Sequence, residues 1–339
     1  MLAQEQMELI QYLNGGKMKS SKIKSKRGIF SAVALTAAAL LTLTACGGSS
    51  TDEAAAPTDT AIALVEALPA GQWISNFGDF KEAANWDAAQ VLALDLGAGT
   101  ISPSNMVLQA GLPYEIQIIN NDTVDHTFSA LDFMRASAVR KVESPGAEVK
   151  MRLFKDITVL AGQTMSLFAV PVIPGVMKME NLTDGVVSAS GTISVEGSAP
   201  TTPAPVIESV STVGEVAGAD ALIAAADWTT AAAVTEEMGD NGDTHFYKTK
   251  VINLKLNEPV ILTFANNGNT LHVYEAEEFL MTCAVFKITS AEGNVTGGII
   301  RPADLEVGGA ANLYIIPTKA GTYTLLDEST DMKATIVVK

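Results

Sequence analysis

The chain of 339 residues has room for about two domains, and its 47% hydrophobic content is enough for two packed cores. It has 22 Lys and Arg against 38 Asp and Glu, a net charge of −16, which argues against a nucleic-acid partner because an acidic surface repels phosphates. No nucleophile elbow, phosphate loop, H-E-x-x-H or C-x-x-C motif is present, and three histidines offer few general bases. We therefore expect a binding protein, not an enzyme.

The N-terminus has the pattern of a secretion signal. A basic region precedes Gly28–Leu43, an uncharged run rich in Ala and Leu, and small residues follow it. Leu43-Thr-Ala-Cys46 resembles the bacterial lipobox, which implies cleavage before Cys46 and a lipid on its sulfur. An ordinary signal peptide or a short membrane anchor is the alternative, and translation starts at Met1 or Met18.

On this interpretation residues 1–45 are a lipoprotein signal peptide, and residues 46–82 are a lipid-anchored spacer with a short helix. A lipidated cysteine anchors a protein by burying acyl chains in the bilayer. We therefore expect a protein of the cell envelope that faces the periplasm or the cell exterior. Its expected partners are the membrane, through the lipid on Cys46, and an unidentified envelope protein.

The second half of the chain repeats the first at a fixed offset. Adding 146 to the position of His126 gives His272, and a shorter offset of 142 relates Trp86 to Trp228. A period of this length indicates one domain duplicated in tandem. The first-copy residues that recur at the offset of 146 are Pro113, Asn120, Asn121, His126, Phe133, Ala138, Val139, Lys141, Gly162, Leu167, Pro171 and Gly175.

The segments between these positions have the pattern of short strands. Tyr114–Ile119 and Val260–Ala265 alternate in the manner of strands, and Gly and Pro turns follow at regular spacing. Residues 198–224 begin with a Pro-rich stretch that is typical of an extended linker. The sequence thus predicts an all-β fold, with tandem β-sandwiches at residues 83–197 and 225–339 joined by this linker.

The residues around the two histidines resemble the cupredoxin-like domains of bacterial periplasmic proteins. In the first copy the resemblance rests on Asn120-Asn121, His126 and the turn Pro171–Gly175, and the second copy has the equivalent residues. It implies a Greek-key β-sandwich in each half, and copper handling or electron transfer outside the cytoplasm.

Members of this family that bind type 1 copper hold the metal with two His and one Cys, often with a distant Met. The resemblance places the first of these histidines at His126 and His272. At the positions of the cysteine and the second histidine the chain has Asn181 and Asp184 in the first copy, and Asp327 and Thr330 in the second. Both copies therefore lack the blue-copper ligand set.

The expected metal is copper, and its predicted ligands are His126 and His272, with Met177, Met179, Asp184 and Asp327 as further candidates. Alternatively, both histidines are hydrogen-bonded inside the sandwiches and the methionines fill core gaps. The chain would then be a metal-free scaffold for protein–protein contact at the envelope. Electron transfer outside the cytoplasm is a third hypothesis. His245 has no counterpart in the first half, and we assign it to the surface.

Overall fold

The computed structural model describes residues 68–209, 216–242 and 244–339. The predicted signal peptide, Cys46 and the predicted helix before Leu68 lie outside the described residues. No helix in the described part of the chain is both long and apolar enough to cross a membrane.

The described chain is all-β, with a few short helices. The strands of the first half are β1 (Gln72–Ile74), β2 (Gln90–Gly97), β3 (Thr100–Ser102), β4 (Asn105–Gln109), β5 (Tyr114–Asn120), β6 (His126–Ser129), β7 (Ser137–Glu143), β8 (Ala147–Val159), β9 (Thr164–Pro171), β10 (Gly175–Thr183), β11 (Val186–Glu196) and β12 (Ile207–Ser209). Those of the second half are β13 (Ala232–Asn241), β14 (Thr244–Tyr247), β15 (Val251–Leu254), β16 (Val260–Asn266), β17 (His272–Glu275), β18 (Cys283–Thr289), β19 (Gly293–Leu305), β20 (Ala310–Pro317), β21 (Gly321–Asp327) and β22 (Met332–Val338). The α-helices are α1 (Phe77–Ala83), α2 (Leu131–Arg135), α3 (Ala219–Ala225) and α4 (Glu277–Leu280).

The two repeats have the same strand pairing. In the first, one sheet has the order β3-β2-β5-β9-β7 and the other has the order β4-β11-β10-β6-β8. The second repeat has β14-β13-β16-β20-β18 and β15-β22-β21-β17-β19. Alternate side chains of β5 and β16 are buried in the core between the sheets, because successive residues of a strand point to opposite faces.

The two repeats are joined edge to edge through β8 and β19. These antiparallel strands place Ala147 opposite Leu305, and Val159 opposite Gly293. Since 147 and 293, and likewise 159 and 305, differ by 146, the pairing has approximate twofold symmetry. The result is one sheet that continues through both repeats, in which Gly293 is required because a Cβ there would lie 2.1 Å from a backbone oxygen of β8. The sequence did not predict this shared sheet.

Two helices cover the outer face of the other sheet, one in each repeat. In the first, Phe77 and Phe80 of α1 pack on β7 and β9, and in the second, Ala219 of α3 packs on β18 and β20. Part of the predicted linker is also structured, since β12 pairs antiparallel with β1. The domain boundaries inferred from the sequence stay predictions.

Candidate metal site

His272 is the first residue of β17 and is completely buried. The loop before it is fixed by Asn266, whose side-chain amide donates to the carbonyl oxygens of Thr270 at 2.8 Å and of Leu305 at 2.9 Å. In the first repeat Asn120 makes the equivalent pair of bonds. The asparagine that recurs in both copies is therefore structural, and it sets the position of the histidine that follows.

A β-hairpin that is longer in the second repeat than in the first brings two more side chains to His272. In the first repeat, Gly97 pairs with Thr100, and only residues 98–99 lie between them. In the second, Gly239 pairs with Phe246, and residues 240–245 lie between them. The β13–β14 hairpin is therefore four residues longer, which accounts for the change of offset from 142 to 146. Residues 240 and 245, which pair across the extension, are Asp240 and His245.

Asp240, His245 and His272 form a compact group of possible metal ligands. One ligand atom from each lies within 4.8 Å of the others. His245 Nδ1 is 2.5 Å from Asp240 Oδ1, and His272 Nε2 is 3.3 Å from the same oxygen. The buried Nε2 of His272 has no hydrogen-bond partner in the described structure. His245 is 30% exposed, so the group is reached from solvent on one side.

The carboxylate of Asp240 is ionised. Burial raises its pKa, but hydrogen bonds from Asn269, His245 and Thr270, together with the charge of His272, outweigh burial and lower the pKa to about 2. Its Oδ2 accepts the backbone N–H groups of Asn269 at 2.6 Å and Thr270 at 3.2 Å. Since these bonds occupy Oδ2, Oδ1 faces the two imidazoles as a negatively charged ligand atom.

Asp327 holds His272 from the opposite side of the ring. His272 Nδ1 donates to Asp327 Oδ2 at 2.5 Å, and both side chains are fully buried. Burial raises the pKa of Asp327, but hydrogen bonds from Ser329, His272 and Thr330 outweigh it and keep the pKa below its ordinary value. An ionised carboxylate that accepts from Nδ1 keeps a proton on that nitrogen, so Nε2 is the ring nitrogen that faces Asp240 and is the one open to a metal ion.

In the first repeat, side chains of the same repeat contact both ring nitrogens of the equivalent histidine, His126. His126 is also buried, but its Nε2 is 3.1 Å from Asp122 Oδ2 and its Nδ1 is 3.1 Å from Thr183 Oγ1. The residue equivalent to Asp122 is Gly268, where a Cβ would lie 2.3 Å from Asp240 Oδ2 and 2.9 Å from His272 Nε2. The second repeat thus lacks the capping carboxylate, and the hairpin occupies the space that it leaves.

The other predicted ligands lie apart from this group. Met177 and Met179 are buried in the core of the first repeat, in agreement with the alternative that they fill gaps. Asp184 is exposed at the turn between β10 and β11, with a φ of 50°. Asp327 contacts His272 as described. Cys283 is a buried free cysteine whose pKa is raised by burial.

The sequence assigned His245 to the surface, and its side chain is 30% exposed, but its contact with Asp240 beside His272 was not predicted. The sequence did contain a signal, because the offset between the repeats changes from 142 to 146 between Trp228 and His272. A four-residue insertion in that interval contains the third histidine of the chain. Asp240 was missed for the same reason, since it has no equivalent in the first copy.

No protein-family model and no curated protein matches the chain. Among solved structures it is similar to a Cu-containing nitrite reductase from Thermus scotoductus SA-01, at 13% identity and a TM-score of 0.27, over 74% of this chain and 62% of that one. A copper nitrite reductase from Nitrosomonas europaea has 14% identity and a TM-score of 0.27, over 74% of this chain and 94% of that one. The multicopper oxidase McoA from Aquifex aeolicus has 10% identity and a TM-score of 0.29, over 74% and 66%. The chain spans less than two thirds of the Thermus and Aquifex proteins.

The described strands show the all-β fold that the sequence predicted. The solved structures to which the chain is similar are nitrite reductases and oxidases, so the expectation that the chain is not an enzyme is withdrawn. With TM-scores below 0.5, they carry no argument about which reaction, metal or partner belongs to this chain.

Proposed function

We propose that the second repeat binds a divalent first-row metal ion, with copper(II) as the most tightly bound, through Asp240, His245 and His272. The observation that carries this proposal is the buried Nε2 of His272, which has no hydrogen-bond partner and lies 3.3 Å from an ionised carboxylate oxygen. A buried polar nitrogen without a hydrogen-bond partner costs about 1–3 kcal/mol, and a metal ion bound there removes that cost.

The donor set decides the class of metal. Two imidazole nitrogens and one carboxylate oxygen suit copper(II), zinc, nickel and iron(II), and the affinity of such a site is highest for copper(II). Copper(I) prefers thiolate and thioether ligands, and Met177 and Met179 are buried in the other repeat. The proposal therefore keeps the predicted copper but changes the ligands that accompany His272.

The charges around the group also favour a cation. Asp240 and Asp327 are both ionised and lie on the two sides of the His272 ring. In the metal-free protein His245 Nδ1 donates a hydrogen bond to Asp240 Oδ1. A metal ion can bind that nitrogen only when the nitrogen carries no hydrogen, so binding requires the ring to hold its hydrogen on Nε2 instead.

For the first repeat we propose no metal. Both ring nitrogens of His126 are engaged by Asp122 and Thr183, which leaves no free lone pair toward a cavity. Of the two histidines predicted as metal ligands, His126 and His272, the proposal keeps only His272. Placement at the cell envelope, through a lipid on Cys46, remains part of the proposal and is supported by the sequence pattern at Leu43–Cys46 alone.

The test is a calorimetric titration with copper(II) and with zinc. The protein used lacks the predicted signal peptide, residues 1–45, and has been treated with a chelator. We expect one equivalent of metal in the wild type, at least tenfold weaker binding in His245→Gln and His272→Gln, and no change in the matched control His126→Gln. Electron paramagnetic resonance of the copper(II) form should show two coordinated nitrogens, and one in His245→Gln. Equal losses in all three variants would contradict the assignment, and no binding in the wild type would favour the metal-free scaffold.

A further inference from the structure

Three cationic side chains lie on the rings of Phe77 and Trp86, and the charge of a fourth, Lys150, acts on one of them. Lys81 is on α1, Arg140 is on β7, and Lys150 and Arg301 are on the paired strands β8 and β19. The chain has a net charge of −16, so cations are in the minority. We call this group the junction cations.

Aromatic rings hold three of these cations in place. Lys81 Nζ lies 4.7 Å from the centroid of the Phe77 ring, and Arg301 Cζ lies 5.8 Å from the same centroid. Arg140 Cζ lies 4.9 Å from the centroid of Trp86, whose indole N–H donates to the backbone oxygen of Lys81 at 2.8 Å. Such contacts order the side chains before any ligand arrives, which reduces the entropy cost of binding.

The carboxylates nearby neutralise only part of the group. Lys150 pairs with Asp304 at 2.9 Å and with Glu148, and Arg301 pairs with Glu277 at 3.2 Å. Within the described residues, neither Lys81 nor Arg140 forms an ion pair with a carboxylate. Both are only partly buried, so a small ligand can reach them from solvent.

The pKa of Lys81 reflects its burial, the positive charges around it and the lack of a carboxylate partner. Burial lowers its pKa, the charges of Arg301, Lys150 and Arg140 lower it further, and Glu82 only partly opposes them, which brings the pKa to about 8. The potential at the Lys81 amine is therefore positive in spite of the acidity of the whole chain. A partly desolvated amine among cations gains more from an anion than an exposed lysine does.

We propose that Lys81 and Arg140 bind a small oxoanion of the phosphate class, with Arg301 beside Lys81 on the Phe77 ring. Ammonium and guanidinium groups are the side chains that recognise phosphate oxygens through charge-assisted hydrogen bonds. The site lies on α1 and β7 and shares no residue with the metal site. The proposal is thus independent of the metal-binding function.

The probe is inorganic phosphate, with sulfate in parallel, added to the chelator-treated mature protein in a low-salt chloride buffer. Lys81→Met keeps an apolar stem on Phe77 and removes the charge, and Arg140→Met does the same on Trp86. Lys255→Met is the matched control, because Lys255 is 75% exposed and pairs with Glu258 at 3.0 Å. We expect calorimetric binding and a phosphate-dependent rise of Tm in the wild type and control, and at least tenfold weaker binding in both test variants.

A second measurement decides the case if a variant fails to fold. In the reductively methylated wild type, the NMR titration midpoint of Lys81 should rise when phosphate is added. Flotation with phosphatidylglycerol vesicles, with phosphatidylcholine vesicles as the control, tells whether the ligand is a lipid headgroup or free phosphate. Lys81-dependent binding to free phosphate or to phosphatidylglycerol supports the proposal. The proposal is overturned if the wild type binds neither phosphate nor sulfate, or if Lys81→Met and Arg140→Met bind them as the wild type does. The one exception is binding to phosphatidylglycerol vesicles that depends on Lys81.

Discussion

Substitution of Asp327 by Asn tests whether this carboxylate sets the tautomer of His272. Asp327 Oδ1 accepts the N–H groups of Val273 at 3.1 Å and Ser329 at 3.0 Å, and the Ser329 hydroxyl at 2.7 Å. Its Oδ2 accepts from His272 Nδ1 at 2.5 Å and from the Thr330 hydroxyl at 2.8 Å. An Asn side chain keeps the acceptor at the first position and places an NH₂ group at the second.

This exchange reverses the hydrogen-bonding requirement at His272. With hydrogen on Nδ1, two donors would face each other. We therefore expect the neutral imidazole to carry its hydrogen on Nε2 in this variant. Protonated Nε2 cannot bind a metal ion, so we expect an affinity loss of about 10–100-fold, the usual effect of losing the outer carboxylate of a metal-bound histidine.

The same change lowers stability. After the tautomer shift the Asn amide donates to Nδ1, so a hydrogen bond to a charged group is exchanged for a neutral one and the free energy of unfolding falls by about 1–2 kcal/mol. For a folded unit of more than about 150 residues this corresponds to a fall in Tm of about 2–8 °C. The matched control is Asp331→Asn, which removes the same charge from an exposed position with a φ of 58°.

The assay combines urea denaturation of the metal-free protein, copper(II) calorimetry and ¹⁵N NMR of the imidazole nitrogens. We expect the protonated nitrogen of His272 to change from Nδ1 to Nε2 in Asp327→Asn and to stay the same in the control. A variant with the wild-type tautomer and wild-type metal affinity would refute the reasoning, whatever its stability.

Three further predictions follow from individual contacts. Gly268→Asp should abolish metal binding in calorimetry, because it restores beside His272 the carboxylate that caps the equivalent histidine in the first repeat. Burial raises the pKa of Glu236 above the ordinary 4.5, so the folded protein binds this proton more tightly and stability should fall as pH rises above 4.5. Glu236→Gln should remove that part of the pH dependence in denaturant titrations, and an unchanged slope would exclude Glu236 as its source. Gly297→Ala should destabilise by several kcal/mol, because its Cβ would lie 1.9 Å from a backbone oxygen of β8. Gly78→Ala, with open space around it, should not.

The sequence was informative wherever the two copies could be compared with each other. Strand alternation in Tyr114–Ile119 and Val260–Ala265 predicted the core strands β5 and β16, because burial on one face follows directly from a period of two. The recurrence of His126 and His272 located the two equivalent positions. A comparison of copies finds what they share, and so it led to the histidines and to the asparagines that hold their loops.

The same comparison could not show what the copies do not share. Asp240 and His245 lie in an insertion, so they have no partner in the repeat and looked incidental. Asp327 was considered as a substitute for a ligand, whereas its contact with the far nitrogen of His272 depends on where β21 lies relative to β17. The pairing of β8 with β19 depends on which strand edges remain open after each sandwich forms, and no local pattern records that.

The differences between the repeats argue that the second site was built for a ligand. If the hairpin only replaced the lost carboxylate of Asp122, then Asp240 alone would satisfy His272 and a hydrogen bond to Nε2 would be present. Instead Nε2 lies 3.3 Å from Asp240 Oδ1 without forming a hydrogen bond, and a second imidazole, His245, contacts the same carboxylate oxygen at 2.5 Å. A purely structural hairpin gains nothing from an unsatisfied buried nitrogen, which costs about 1–3 kcal/mol. A metal ion between these three groups explains the glycine, the insertion and the unpartnered nitrogen together.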